Sequence, residues 1–233
     1  MNLELFIPET RFGFWFLGSQ TWETHVMRVA LRDLERLLPG RKPYRPVVLD
    51  VGCGQGKSFR PLEEHFAPGR IIAIDFEPQC VERATREAAR EGLEVDVRQG
   101  DVAALELADE SVDVVFCHQT FHHLTRQGQA LREFRRVLKP GGLLLFAEST
   151  RAYIESWVIR LLFRHPMEAQ RSAEEYMEML RAEGFRFGPA NLSMPYLWWS
   201  RSDLGAFEFF GLPVPKPGKR EETLINLVAT KAC

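Results

Sequence analysis

Short apolar runs recur along this chain, and each is followed by a stretch whose apolar positions repeat at helical spacing. The runs are Pro46–Val51 (PVVLDV), Arg70–Asp75 (RIIAID), Glu94–Arg98, Val112–Cys117 (VDVVFC) and Leu143–Glu148 (LLLFAE). Pro46–Val51 has the length and content of a strand buried on both faces, and the other four read as the strands that follow it. Helical patterns run from about Thr21 to Leu38, from Ser58 to Phe66, from Pro78 to Gly92, and from a Thr125 cap to Leu138. Strands alternating with helices predict a mainly parallel sheet covered on both sides.

After Thr150 the rhythm changes. Residues 152–164 read as one apolar helix with Trp157, Leu161, Leu162 and Phe163, and a buried position suits it. Ser172 with Glu175 forms a capping-box pattern for a helix ending at Gly184. The stretch 186–199 carries a strand interrupted by Pro189 and Pro195, and Leu224–Lys231 is a closing strand. The organisation expected is one domain: an N-terminal cap over 1–40, a core over 41–150, and substrate-side helices with closing strands over 151–233.

Composition narrows the functional classes. The net charge is −2, without the basic footprint of a nucleic-acid binder. The cysteines Cys53, Cys80, Cys117 and Cys233 form no pair with metal-finger or redox spacing. They suit a reducing compartment, and with no recognisable signal peptide a cytoplasmic location is expected. No apolar run approaches the length of a membrane span, and integral membrane association is not expected. Arg160 and Arg164 beside Trp157 and Phe163 leave peripheral contact with a membrane surface open.

The first chemistry-bearing motif is Leu49-Asp50-Val51-Gly52-Cys53-Gly54-Gln55-Gly56. Glycines between a strand and a helix let the backbone turn sharply and a ligand approach closely. A dinucleotide fingerprint would place its third glycine at position 57, which is Lys57. Asp50 ahead of the turn disfavours a phosphate and favours an ammonium group. Asp75 ends the second strand about 20 residues on, where a carboxylate can accept ribose hydroxyls, and Phe76 can lie against a base. Asp101, beside Val102, follows the third strand and can accept an adenine amino group. Three acidic residues ending three successive strands point to one site at the carboxyl ends of the sheet.

Together, VVLDVGCGQGKSF (47–59), IIAIDFEP (71–78), RQGDVAAL (98–105), SVDVVFCHQTFHHL (111–124) and LREFRRVLKPGGLLLFAE (131–148) resemble the class I S-adenosylmethionine-dependent methyltransferases. The likeness is nearest to the small-molecule branch typified by ubiquinone-biosynthesis methyltransferases. It implies a Rossmann-like three-layer α/β sandwich with a helical cap. Its sheet would have seven mostly parallel strands, the last antiparallel. It also implies S-adenosyl-L-methionine as cofactor, with Asp50, Gly52 and Gly54 on the methionine part and Cys53 in the same turn. Asp75 would hold the ribose, Asp101 the adenine amino group, and the backbone at Cys117 the ammonium.

His118, His122 and His123 follow the fourth strand, with His118 and then His122 as the proton-transfer candidates. Gln119, His122 and His123 sit where some quinone-pathway relatives carry metal-binding carboxylates. This chain has none there, so no metal is expected. The Asn/Asp-Pro-Pro-Tyr signature of amide and adenine nitrogen methylation is missing, which also argues against nucleic-acid substrates. Aromatic residues crowd the flanks, including all five tryptophans, Phe14, PYLWWS (195–200) and GAFEFFGLP (205–213). The acceptor expected is a small apolar or aromatic molecule, methylated on oxygen or carbon. Non-methyl-transfer chemistry on the same cofactor and a non-catalytic binding role are the alternatives.

Overall fold

The computed structural model describes residues 9–195 and 222–232. Helices begin and end where local chemistry dictates. In α5 (Pro78–Glu91), Pro78 takes the first position, where a missing N–H is harmless, and Gly92 closes the helix at φ 64°. Both bonds of the Ser172–Glu175 capping box start α9 (Ala173–Ala182). At the N-terminal side, α1 (Arg11–Leu17) is capped by Thr10. It leads into α2 (Gln20–Trp22), a π-helical turn (Glu23–Met27) and α3 (Arg28–Arg36).

The strands are β1 (Val47–Val51), β2 (Arg70–Asp75), β3 (Val95–Gln99), β4 (Val112–His118), β5 (Leu138–Ser149), β6 (Phe185–Arg186), β7 (Leu192–Ser193) and β8 (Leu224–Lys231). They form one sheet in the order β3-β2-β1-β4-β5-β8-β6, with β7 also on β8. The first five are parallel, and β8 is antiparallel to β5. The expected sixth strand is two short segments, since the Gly188–Pro189 turn interrupts pairing, so the described residues hold eight strands where seven were expected.

Alternation along each strand feeds two cores. Val48, Phe116 and Leu145 pack with α3, α5 and α4 (Phe59–Phe66) on one face. Leu49, Val115 and Leu144 pack with α9 and α6 (Gln127–Val137) on the other. Strand order reverses between β1 and β4, which opens a crevice at their carboxyl ends.

Two local expectations need correction. Arg126, not Thr125, precedes α6, and no side chain caps that helix. The single helix expected over 152–164 is two, α7 (Arg151–Ile154) and α8 (Trp157–Leu162), separated at Glu155-Ser156. It is also not buried throughout. Trp157 and Leu161, four residues apart, face outward while Ile159 packs inward. Among the described residues no helix is long and apolar enough to cross a membrane.

Candidate functional site

The loop after β1 is shaped by its glycines. Gly52 has φ 67°, and a Cβ there would lie 2.2 Å from Thr120 Cγ2. Gly54 has φ 54° and faces open space, so a side chain there would enter a cavity of about 420 Å³. That cavity lies along the carboxyl ends of β1, β2 and β3 and is walled by Gly52, Gly54, Asp75, Phe76, Asp101 and Val102. Asp75 is locked in place: Gly54 N–H donates to Oδ2 at 2.8 Å and Glu77 N–H to Oδ1 at 2.9 Å. Burial raises its pKa, and those two backbone bonds oppose the rise. Asp101 accepts from Ala103 N–H at 2.8 Å and pairs with Arg126. Helix α1 roofs this space, tied down by Gln55 Nε2 donating to the Phe14 carbonyl at 2.5 Å and by Arg83 over the Phe14 ring.

A second cavity of about 260 Å³ adjoins it, and Glu9, Leu17, Gln119 and His123 line both. The second is apolar on its outer side, with Phe12, Phe16, Trp22, Ile159 and Phe163. Its inner wall carries His122, His123 and His165. Gln119, between the two spaces, holds φ 51° without being glycine, a conformation that costs energy and is enriched at functional positions. Its side-chain oxygen accepts from Ser149 Oγ at 2.6 Å.

Glu148, fully buried at the end of β5, anchors the loop after β4. Its Oε1 accepts the N–H groups of Thr120 at 2.8 Å and Phe121 at 2.7 Å. Its Oε2 takes His122 Nδ1 at 2.6 Å. Burial pushes His123 well below its ordinary pKa, and burial followed by the nearby His122 takes His165 to about 3. Both rings are therefore neutral near pH 7. Glu9 moves the other way: burial raises its carboxyl.

The comparisons with known proteins agree with this geometry. A methyltransferase-domain family model matches residues 49–146. A demethylmenaquinone methyltransferase from Deinococcus radiodurans is 30% identical over 162 residues, covering 60% of this chain and 67% of that protein. The chain belongs to the class I S-adenosylmethionine-dependent methyltransferase family. A probable S-adenosylmethionine-dependent methyltransferase from Mycolicibacterium smegmatis is 33% identical over 139 residues, 59% of this chain and 51% of the relative. The chain spans only part of several curated relatives, 29%, 54% and 51% of the length of three of them. The crystal structure of a methyltransferase from Aquifex aeolicus matches with a TM-score of 0.65 and 22% identity, over 94% of this chain and 97% of that one, which shows a shared fold.

In this methyltransferase fold, three of the residues expected at the cofactor lie off the larger cavity. Asp50 sits beneath the glycine loop, 2% exposed, where Ser58 Oγ–H donates to its carboxylate. Burial raises its pKa to about 7, against the Ser58 bond, and Asp75 adds to the rise. Cys53 packs in the core beneath α4 and α5. Cys117 is buried inside the sheet, where its thiol approaches Glu148 at 3.5 Å.

His118 also departs from expectation. It shares the Phe116 face of β4, rings stacked at 5.9 Å, and opens on a void of about 30 Å³ instead of the second cavity. Phe14 lines the larger cavity, not the second one. Of the described tryptophans only Trp22 lines the second cavity, while Trp15 and Trp157 face outward. Trp198, Trp199 and the stretch 205–213 lie outside the described residues. Glu9, Arg126 and His165 carried no sequence signal, because each reaches the site through chain packing and not through motif spacing.

Proposed function

We propose that this chain transfers a methyl group from S-adenosylmethionine to a small, mainly apolar acceptor with a polar end, methylated on oxygen or on carbon. The observation that carries the reading is the shared wall: a cavity built on the glycine loop, Asp75 and Asp101 meets an apolar cavity at Gln119 and His123. The larger space falls in the usual size range of cofactor sites. The glycine loop leaves backbone room that a Cβ at Gly54 would occupy, and Asp75 presents a fixed carboxylate at the end of β2. These residues fit a cofactor with a ribose.

S-adenosylmethionine, when bound, supplies an electrophilic methyl carbon on a sulfonium. The chain supplies alignment and exclusion of water, which in favourable cases is worth about 7–11 kcal/mol. Phe12, Phe16, Trp22 and Phe163 close the outer side of the acceptor space, and His122, His123 and Gln119 meet its polar end. Of the two histidines proposed for proton handling, His122 is the better placed. Glu148 fixes its ring through Nδ1, which leaves Nε2 as the nitrogen for an acceptor. The acidic balance of the chain and the apolar acceptor space support a small molecule over a nucleic acid.

The test is formation of S-adenosylhomocysteine by the purified chain against a panel of small phenols, quinols and carboxylic acids, with polyamine, tRNA and protein as contrasts. Turnover with the small oxygen acceptors alone supports the reading. Turnover confined to tRNA, protein or polyamine overturns the acceptor assignment. Tight cofactor binding with no turnover on a broad metabolite extract favours a binding role.

A further inference from the structure

Three imidazoles from two separate segments meet at the inner wall of the acceptor cavity. His122 and His123 belong to the short 3-10 turn after β4, and His165 to the loop after α8. Their ring centroids lie 4.3, 5.1 and 4.8 Å apart. One ring nitrogen from each lies within 4.8 Å of the others. Three atoms so spaced share a point within about 2.8 Å of each. Side-chain shifts of less than about 1 Å would bring that to the roughly 2.0–2.1 Å of a zinc–imidazole bond.

Two further features suit a metal ion. His122 gives its Nδ1 to the Glu148 carboxylate, the pairing that fixes the tautomer and orientation of metal-bound histidines. Gln170 Nε2 donates to the His122 carbonyl at 2.9 Å and Gln127 Nε2 to the Phe121 carbonyl at 3.1 Å, so the turn bearing two of the rings is rigid. In the same cavity, the Glu9 Oε2 atom is buried and has no hydrogen-bond partner.

We propose that His122, His123 and His165 bind one divalent ion of the zinc class, with an open coordination position that faces the acceptor cavity and takes an oxygen of the acceptor. Three nitrogen donors select zinc, cobalt, nickel or copper over magnesium and calcium. Three protein ligands with an open position are the pattern of reactive, not structural, zinc. An oxygen acid bound there loses its proton to solvent water more readily, so with the ion in place His122 serves as a ligand and is not needed as the proton acceptor. This deepens the methyl-transfer reading by naming the acceptor's polar end as a hydroxyl or carboxyl oxygen.

The test is titration of the metal-stripped full chain with Co²⁺, followed by visible absorption, together with Zn²⁺-dependent thermal shift. The wild-type chain should take up one equivalent with the absorption of a low-coordinate site, and Zn²⁺ should raise its melting temperature. His165→Asn and His123→Asn should each weaken Co²⁺ binding by at least about 10-fold and lose the Zn²⁺ shift. His25→Asn, outside the cluster, should keep both. An absent cobalt band, or a titration unchanged in both cluster variants, overturns the site. S-adenosylhomocysteine affinity measured on the same samples keeps the two readings apart. Intact cofactor binding without metal binding overturns only the metal site, whereas loss of cofactor binding in the wild type overturns the methyl-transfer reading.

Discussion

Replacing Asp50 by Asn tests whether this carboxylate supports the glycine loop from below. Asp50 is buried on the α4 side of β1, bonded to Ser58, and its pKa rises from an ordinary 3.8 to about 7. A raised carboxyl pKa means that the fold prefers the protonated form. Its stabilising effect is full below the unfolded value and is lost as pH rises through the folded one. The interval corresponds to about 4 kcal/mol between the two limits. About 2–3 kcal/mol of it accrues between about pH 5 and about pH 8.5. Asn keeps the shape and an oxygen for Ser58 but cannot ionise, so the variant lacks this slope. Urea denaturation of both proteins across that range cancels every other titrating group in the difference. Asp50→Asn should gain about 2–3 kcal/mol relative to wild type as pH rises, whatever the offset at low pH. A difference that stays flat with pH would refute the raised carboxyl pKa and leave open the contact with the methionine part of the cofactor expected of Asp50 from sequence.

Further outcomes follow from the two cavities. Asp75→Ala should weaken S-adenosylmethionine binding by about 1–3 kcal/mol in calorimetry, and NAD should not bind detectably; equal affinity in wild type and variant contradicts the ribose assignment. His122→Ala should lower turnover by about 100-fold or more with little change in cofactor affinity. His118→Ala should chiefly lower thermal stability, since its ring packs between Phe116 and Trp22. The reverse ranking in turnover would restore His118 as the reactive residue. Trp22→Ala should raise the Michaelis constant for the acceptor, whereas Phe14→Ala should raise that for the cofactor, because the two rings line different cavities.

The strands β1, β2, β4 and β5 were legible because each apolar run is buried between two helical layers, which the sequence encodes directly as near-continuous hydrophobicity, while the edge strand β3 showed as an alternation of valine and polar residues. The same holds for Pro78, Gly92 and the Ser172–Glu175 box, whose local chemistry acts within one turn. The orientation of Asp50 and His118 was also encoded, by the two-residue period. Asp50 shares a face with Val48, and His118 shares one with Phe116, which turns both toward the α3/α4 layer and away from the cavities. His165 was not legible. It lies 42 positions from His123 and reaches it only because α7 and α8 fold back over the end of β5. The expectation of no metal weighed Gln119, His122 and His123 without that third ring. The division of labour among the aromatic residues depends on tertiary packing in the same way: the flanks supply them, but only the docking of α1 against Phe163 decides that Phe12 and Phe16 line a cavity while Trp15 does not.

The most direct test of the account is label transfer. The purified chain is incubated with methyl-labelled S-adenosylmethionine and a fractionated metabolite extract, and labelled products are identified by mass. The account predicts a labelled small molecule with a mainly apolar body and an oxygen at or beside the new methyl group, formed by wild type and lost in Asp75→Ala and His122→Ala. Label appearing only in protein, tRNA or polyamine fractions, or the same product formed equally by the His122→Ala variant, would contradict it.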